Sequence, residues 1–124
     1  MNGINYVLDT NIITYYLQGK EDVYPFLNGT FIFISFITEL ELYADPALSM
    51  GQEKKLKQLL ETFTIFEINP FIKEHTIVFK RDFKLKIPDA IIAATALYLG
   101  YPLVTADKAF KKLSIPIIYF SYQS

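Results

Sequence analysis

The sequence contains no cysteine, a single histidine and only five glycines in 124 residues. Without cysteine there is no disulfide, no thiolate zinc site and no cysteine nucleophile, as is common in a reducing compartment. A mechanism that relies on a pair of histidines is excluded by count, and His75 is expected to be structural. No glycine-rich phosphate loop of the Walker or dinucleotide type is present, so nucleoside triphosphate chemistry is not expected.

The sequence also lacks an excess of charge and any long apolar run. Its net charge is −1, so the broad basic field of a protein that coats nucleic acid is missing, and any such contact must be local. The most apolar stretches, residues 31–37 and 90–99, are shorter than the roughly 18 to 20 residues that span a bilayer. The first five residues do not resemble a secretory leader. We therefore expect one domain over residues 1–124, in the cytoplasm and without a membrane.

Short β-prone runs alternate with helical stretches along the chain. The runs are almost continuously apolar, which is typical of strands covered by helices on both faces, so all are expected to be buried. Five strands are predicted, at residues 4–8, 31–34, 64–68, 103–105 and 117–120. Six helices are predicted, at residues 12–17, 38–43, 52–63, 71–83, 88–99 and 108–113. This alternation predicts an α/β fold, a three-layer α/β/α sandwich with a mostly parallel sheet of about five strands.

Four acidic residues fall where a parallel sheet has its binding crevice, at the carboxyl ends of its strands. Asp9 directly follows the first predicted strand, and Asp107 lies two residues past the fourth. Asp89 opens the fifth predicted helix. Glu41 follows the second strand by about two helical turns, and its longer side chain can reach back toward the sheet. These acids are distant in sequence but are predicted to converge.

Each acid also has a purely structural explanation. Asp9 and Asp107 can cap the helices that follow them, because an aspartate before a helix accepts hydrogen bonds from its free N–H groups. Asp89 can complement the helix dipole. Glu41 stands three residues after Thr38, which is the spacing of a capping box. Taken singly these explanations are at least as good; taken together, four acids at one sheet edge favour a shared site.

A shared site of four carboxylates needs a cation. The carboxylates repel one another and raise one another's pKa unless positive charge neutralises them. Oxygen ligands favour Mg²⁺ or Mn²⁺ over zinc or copper, which predicts metal-assisted hydrolysis of a phosphate ester. Basic residues near the acids are candidate contacts to a nucleic-acid backbone, or else solvated lysines at helix ends; they are Arg81, Lys84, Lys86 and Lys108.

The motifs around these acids resemble those of the PIN-domain nucleases, in particular the VapC-type toxin ribonucleases of toxin–antitoxin pairs. The similarity covers nearly the whole chain and rests on four blocks in order, at residues 6–12 (YVLDTNI), 34–42 (ISFITELEL), 87–96 (IPDAIIAATA) and 103–110 (LVTADKAF). One block would be weak evidence, whereas four in order are strong. The family's motifs place its acidic quartet on Asp9, Glu41, Asp89 and Asp107.

The resemblance implies that these acids bind Mg²⁺ or Mn²⁺ and activate water to cleave RNA. It also implies polar partners that orient the carboxylates, at Thr10, Asn11, Ser35 and Thr105. A homodimer and an antitoxin whose tail blocks the cleft are further implications. Tyr15, Tyr16 and Leu17 form a candidate contact face, although aromatic residues at helical spacing more often belong to the core.

Other interpretations remain open. A haloacid-dehalogenase-type phosphatase with Asp9 as nucleophile fits worse, because its second aspartate would stand where this chain has Asn11. A receiver domain fits worse as well, because it needs paired acids before its phosphorylated aspartate. A housekeeping RNA-processing nuclease would lack a neighbouring antitoxin-like reading frame. A non-catalytic RNA-binding module with a PIN-like fold is disfavoured by the intact quartet.

Overall fold

The structure is a computed structural model that describes residues 5–27 and 31–121. Its strands are β1 (Tyr6–Leu8), β2 (Ile32–Ser35), β3 (Thr64–Phe66), β4 (Leu103–Thr105) and β5 (Ile117–Tyr119). Its α-helices are α1 (Thr10–Leu17), α2 (Phe36–Tyr43), α3 (Met50–Leu60), α4 (Pro70–Phe83) and α5 (Ile87–Leu99). Two 3-10 helices cover Glu21–Phe26 and Lys108–Lys112.

The five strands form one sheet in the order β3-β2-β1-β4-β5, and every pair is parallel. Successive side chains of a strand point to opposite faces, so each strand contributes to two cores. In β1, Val7 packs in the core that contains residues of α4 and α5, whereas Leu8 packs in the core that contains residues of α1 and α3. In β4, Leu103 and Val104 divide in the same way. Helices therefore cover both faces, which confirms the predicted three-layer α/β/α sandwich.

Helix α5 is the most buried helix of the fold, and it carries Asp89 in its first turn. Pro88 fits this first turn, where a backbone N–H is not needed. Residues 90–96 are all buried, and the alanines among them allow close packing against the sheet and α4. Gly100 ends the helix with a φ of 74°, a left-handed conformation that glycine adopts without strain. The N-terminus of α5 is thus anchored by one of the two cores.

The predicted elements are all present within three residues of their predicted bounds, apart from residue 4 of the first strand, which lies outside the described residues. The stretch at 108–113 forms a 3-10 helix, and the 3-10 helix at Glu21–Phe26, which contains Pro25, was not predicted. The prediction that all strands are buried is wrong for β3 and β5, because edge strands have only one neighbour. No helix in the described part of the chain is long and apolar enough to cross a membrane.

Candidate active site

The strand order places a crevice between β1 and β4. From β1 the chain builds the sheet outward through β2 and β3, then returns to the other side of β1 to add β4 and β5. Loops on the two sides of this reversal diverge, which is why open parallel sheets bind ligands there. A cleft of about 440 Å³ opens at this edge, and the residues that line it include Asp9, Thr10, Asn11, Glu41, Asp45 and Asp89.

Asp9 lies at the bottom of the cleft and is only 3% exposed. One carboxylate oxygen accepts a hydrogen bond from the backbone N–H of Thr10 (2.7 Å), which caps α1, and the other accepts from the hydroxyl of Thr105 (2.8 Å). Burial nevertheless raises the pKa of Asp9 from 3.8 to about 7, and the charges of Asp89 and Asp107 contribute to this rise. Desolvation and repulsion therefore outweigh the two hydrogen bonds.

Asp89 at the start of α5 and Asp107 after β4 complete the acidic group. Partial burial raises the pKa of Asp89, and repulsion from Asp107 and then from Glu41 adds to it, while Lys86 opposes the rise. Asp107 accepts a hydrogen bond from the N–H of Ala109 (2.8 Å), so it caps the second 3-10 helix as the structural explanation predicted. Asp107 can cap this helix and still belong to the acidic group, because its charge also raises the pKa of Asp9 and of Asp89.

Thr105 connects the two aspartates that follow β1 and β4. Its hydroxyl donates to Asp9 and accepts from the backbone N–H of Asp107 (3.0 Å). Because Thr105 is fully buried at the end of a central strand, both contacts are held rigidly. Thr105 therefore orients Asp9 and fixes the start of the loop that carries Asp107.

Glu41 is exposed and points toward α1. One of its carboxylate oxygens accepts a hydrogen bond from the hydroxyl of Thr10 (2.7 Å), and that hydroxyl also lies 3.0 Å from the hydroxyl of Thr38. The capping box considered for Thr38 and Glu41 is wrong. Helix α2 begins two residues earlier, at Phe36, and its cap is Ser35, which accepts from the N–H of Ile37 (3.1 Å).

The acidic side chains interact electrostatically but do not enclose a metal site. Within residues 5–27 and 31–121, no group of three or more acidic or histidine side chains stands close enough to enclose a metal ion. Yet repulsion from Asp89 and Asp107 contributes to the raised pKa of Asp9, and repulsion from Asp107 and Glu41 contributes to that of Asp89. The donors are all oxygen and the cluster is negative, so a hard divalent cation fits this set better than zinc or copper.

The other predicted site residues differ in where they lie. Asn11 is exposed at the cleft, whereas Ser35 is buried and its hydroxyl serves the cap of α2 rather than a carboxylate. The positive charge of Lys86 lowers the pKa of Asp89 and so opposes the rise caused by burial. The remaining basic residues are exposed, and no contact joins them to the four acids among the described residues; they are Arg81, Lys84 and Lys108. The guanidinium of Arg81 pairs with the exposed Asp82 at 2.9 Å.

Outside the cleft, His75 and the aromatic residues of α1 have the packing roles that the sequence analysis considered for them. His75 stacks on Phe71 with 4.0 Å between ring centroids, and its Nδ1 lies 3.0 Å from the Phe71 carbonyl oxygen. Tyr15, Tyr16 and Leu17 are half-buried against the core under α1, as aromatic residues at helical spacing usually are. These side chains therefore belong mainly to packing.

Sequence reasoning missed three residues at the site. Thr38 contacts Thr10 from α2, and Thr14 and Asp45 line the cleft. Thr14 lies one helical turn after Thr10, so its place on the same face of α1 was open to prediction. Asp45 follows α2 in a loop whose path depends on tertiary packing, and no local pattern marked it.

The fold and the cleft together define a parallel α/β protein with an acidic site at its topological switch point. The chain belongs to the PIN-domain family, whose family model matches residues 6–116. This match confirms the resemblance seen in the four sequence blocks.

Solved structures show the same similarity. A chain of a toxin–antitoxin complex from Klebsiella pneumoniae is 32% identical, with a TM-score of 0.79 over 91% of this chain and 95% of that chain. A chain of VapBC-1 from nontypeable Haemophilus influenzae is 26% identical, with a TM-score of 0.75 over 94% and 98%. A chain of VapBC2 from Rickettsia felis, bound to a promoter DNA fragment, is 22% identical, with a TM-score of 0.80 over 94% and 98%; at that identity it supports the fold alone. A comparison with curated protein sequences gives no significant match.

Proposed function

We propose that the protein is a Mg²⁺- or Mn²⁺-dependent endoribonuclease that acts in the cytoplasm as the toxin of a toxin–antitoxin pair. The observation that carries this proposal is an acidic cleft lined by Asp9, Glu41 and Asp89, in which Asp107 also acts on Asp9 and Asp89 and the pKa of the buried Asp9 is raised to about 7. Membership of the PIN-domain family and the similarity to the Klebsiella pneumoniae complex support it.

In this proposal the metal ligands and catalytic groups are Asp9, Glu41, Asp89 and Asp107. The chemistry that a bound divalent cation supplies is positive charge, which lowers the pKa of a water nucleophile and offsets charge on the phosphate. Thr105 and the Thr10 N–H hold the Asp9 carboxylate in one orientation. The Thr10 hydroxyl holds one oxygen of the Glu41 carboxylate, and because this side chain is exposed it can reorient within nanoseconds.

Residues around the acids position the substrate and the ligands. Lys86, which already acts on Asp89, is the best placed cation for a substrate phosphate, and Arg81, Lys84 and Lys108 would extend that contact along the backbone. Asn11 at the cleft offers an exposed amide to the substrate. Ser35 acts indirectly, because it caps the helix that carries Glu41.

An antitoxin partner and a homodimer complete the proposal. Leu40 and Tyr43 are exposed apolar side chains on α2, the helix that carries Glu41, and a partner that blocks the cleft would cover them. Co-purification with the product of a neighbouring short reading frame tests the antitoxin, and sedimentation equilibrium tests the dimer. A chain that has no such neighbour and does not slow growth when induced would instead be a housekeeping RNA-processing nuclease.

The decisive test is cleavage of RNA by the purified protein and by Asp9→Asn. We expect cleavage in Mg²⁺ or Mn²⁺, none in excess chelator, and a loss of at least about 100-fold in Asp9→Asn, since ligand orientation and charge are both altered. Asp22→Asn, an exposed acid on the first 3-10 helix away from the cleft, is the matched control and should retain activity.

Each failure of this test has a definite meaning. Cleavage that persists in excess chelator would rule out the metal mechanism, and full activity of Asp9→Asn would rule out the site. RNA binding without cleavage under all conditions would identify a non-catalytic RNA-binding module. Sequencing of RNA fragments after brief induction in cells, with Asp9→Asn for comparison, would then locate the cleavage sites.

A further inference from the structure

A second, smaller cavity adjoins the acidic cleft. Its volume is about 70 Å³, and the residues that line it include Thr14, Leu17, Gln18, Asp45, Leu48 and Gln52. Thr14, Leu42 and Asp45 line both cavities, so the two are adjacent. A strand of nucleic acid in the cleft therefore has a side pocket within reach of one of its bases. We call this cavity the side pocket.

One wall of the side pocket is held rigidly by Gln52. Its amide oxygen accepts a hydrogen bond from the N–H of Ser49 (3.0 Å), and its amide nitrogen donates to the carbonyl of Leu17 at the end of α1 (3.2 Å). The Ser49 hydroxyl accepts in turn from the N–H of Gln52 (3.1 Å), which completes a capping box at the start of α3. Gln52 thus ties α3 to α1 and gives the pocket a fixed shape.

Asp45 and Gln18, two other polar residues of the side pocket, have side-chain groups that are available for hydrogen bonds to a ligand. Asp45 uses one carboxylate oxygen to accept from the N–H of Ala47 (2.9 Å), while its second oxygen has no partner among the described residues. The exposed amide of Gln18 has no partner there either. Both stand beside the apolar side chains of Leu17 and Leu48. An apolar slot with an acceptor and an amide at its edge suits a flat heterocycle with a donor and acceptors on its rim.

We propose that the side pocket binds a cytosine base of the RNA next to the cleaved bond, with Asp45 and Gln18 as the specificity-determining residues. This rests on the proposed function. Room for about five water molecules, at roughly 10 to 15 Å³ each, suits a single ring better than a fused purine. The Asp45 carboxylate accepts from the exocyclic amino group of cytosine, and the Gln18 amide donates to its ring nitrogen or carbonyl oxygen. Uracil presents a carbonyl oxygen where cytosine has the amino group, so the carboxylate repels it.

The first experiment compares cleavage of two RNA oligonucleotides that differ only by cytosine or uracil beside the cleavage site. The wild-type protein should favour cytosine by about tenfold, the value of one good base contact. Asp45→Asn keeps an oxygen for the Ala47 N–H but presents an amino group in place of the free acceptor, so the preference should move toward uracil. Gln18→Ala should lower the preference without reversing it.

Glu53→Gln is the matched control, since it removes a negative charge from an exposed residue next to Gln52 that lines neither cavity. The wild-type preference should persist in this variant. Equal cleavage of both oligonucleotides by the wild-type protein would overturn the proposal. An unchanged preference for cytosine in Asp45→Asn would also overturn it. If this variant in addition bound a protein partner more weakly, the pocket would receive a side chain of that partner.

The second experiment does not depend on cleavage. Cytidine and uridine are added separately to the metal-free wild-type protein, and backbone amide shifts are followed by nuclear magnetic resonance. Cytidine should shift the amides of Gln18, Ala47 and Leu48, and uridine should not. Selective shifts in a protein that cleaves no RNA would keep the pocket and overturn the nuclease, whereas absent shifts in an active nuclease would overturn the pocket.

Discussion

Asp9 has two roles that affect its charge in opposite ways. As the cap of α1 it accepts the Thr10 N–H, and with the Thr105 hydroxyl this bond favours the carboxylate. As the deepest acid of the cleft it is desolvated and faces Asp89 and Asp107, which favours the neutral acid. The pKa of about 7 shows that the second role prevails. At neutral pH a small shift in the pKa of Asp9 therefore changes the fraction of this carboxyl group that is ionised.

The first prediction concerns folding stability without metal. The folded-state pKa of Asp9 is above its usual 3.8, so between pH 3.8 and about 7 the folded protein holds a proton that the unfolded chain has released. The stability contributed by Asp9 is then fully present at low pH and is lost as the pH rises through this window. At 1.36 kcal/mol per unit, the loss from this residue approaches about 4 kcal/mol as an upper limit.

Urea denaturation in chelator at pH 5 and pH 8 measures this loss. The wild-type protein should be less stable at pH 8, and Asp9→Asn, which has no proton to lose, should show a smaller difference and exceed the wild type at pH 8. Equal wild-type stabilities at the two pH values would contradict the raised pKa. This experiment needs no substrate, so it is independent of the nuclease assignment.

The second prediction concerns Thr105→Val. The Thr105 hydroxyl lowers the pKa of Asp9, so its removal should raise that pKa further. If ionised Asp9 is needed for activity, the pH of half-maximal RNA cleavage should rise by about one unit, the equivalent of one hydrogen bond to a charged group. A pH–rate profile at a fixed, subsaturating Mg²⁺ concentration measures the shift.

Thr95→Val is the control for this substitution. Thr95 is also buried, but its hydroxyl donates to the Ile91 carbonyl within α5 (2.7 Å) and contacts no acid. Both variants lose one buried hydroxyl, so a general loss of stability should affect them alike. An equal shift of the pH profile in both would show that Thr105 has no specific action on Asp9.

At the scale of elements, the sequence predicted the sheet better than the site. Near-continuous apolar runs identified the strands, and their alternation with helices identified a parallel sheet. The starts of α1 and α2 were placed two residues late, at Ile12 and Thr38, whereas the caps of these helices are Asp9 and Ser35.

The strand order and the contacts of Glu41 depend on tertiary packing. Thr105 and Asp9 are joined across 96 residues, and Thr10 and Glu41 across 31, and no local pattern encodes either contact. The four acids were nevertheless proposed from the sequence, because their positions follow from strand ends and helix starts. Their closeness was predicted, but the partners of each oxygen were not.

The third prediction concerns the end of α4. Lys84 caps this helix with a φ of 61°, the one positive φ found for a non-glycine residue in the described part of the chain. Such a backbone conformation costs about 1 kcal/mol for a residue with a Cβ, so Lys84→Gly should stabilise the protein by roughly 0.5 to 1 kcal/mol. Thermal denaturation of both proteins in the same buffer measures the gain.

Lys84→Ala removes the same charge but keeps the Cβ, so it separates charge from conformation. It should not share the gain in stability. If Lys84 binds the RNA backbone, both variants should cleave more slowly at moderate salt and lose part of the salt dependence. Unchanged cleavage in both would remove Lys84 from the proposed substrate contacts.

At the scale of the whole molecule, charge is nearly balanced, with 13 acidic and 12 basic residues. The negative charge of the cleft is therefore local and comes from the acids that line it, Asp9, Glu41, Asp45 and Asp89. With a net charge of only −1, long-range attraction contributes little to cation binding. Cation affinity must depend on whether these few carboxylates are ionised.

The fourth prediction links cation binding to pH. A proton and a divalent cation compete for Asp9, because the ion binds the carboxylate and not the neutral acid. At pH 8, Mg²⁺ at 100 times its Kd should stabilise the protein by roughly 2.7 kcal/mol, which is about 10 °C in Tm for a chain of this size. At pH 5.5, below the Asp9 pKa of about 7, the same Mg²⁺ should give a much smaller shift in Tm.

Differential scanning fluorimetry with and without Mg²⁺ measures the Tm shift at both pH values, and Asp9→Asn should respond weakly at either pH. An equal Mg²⁺ shift at the two pH values, retained in Asp9→Asn, would place cation binding away from this cleft.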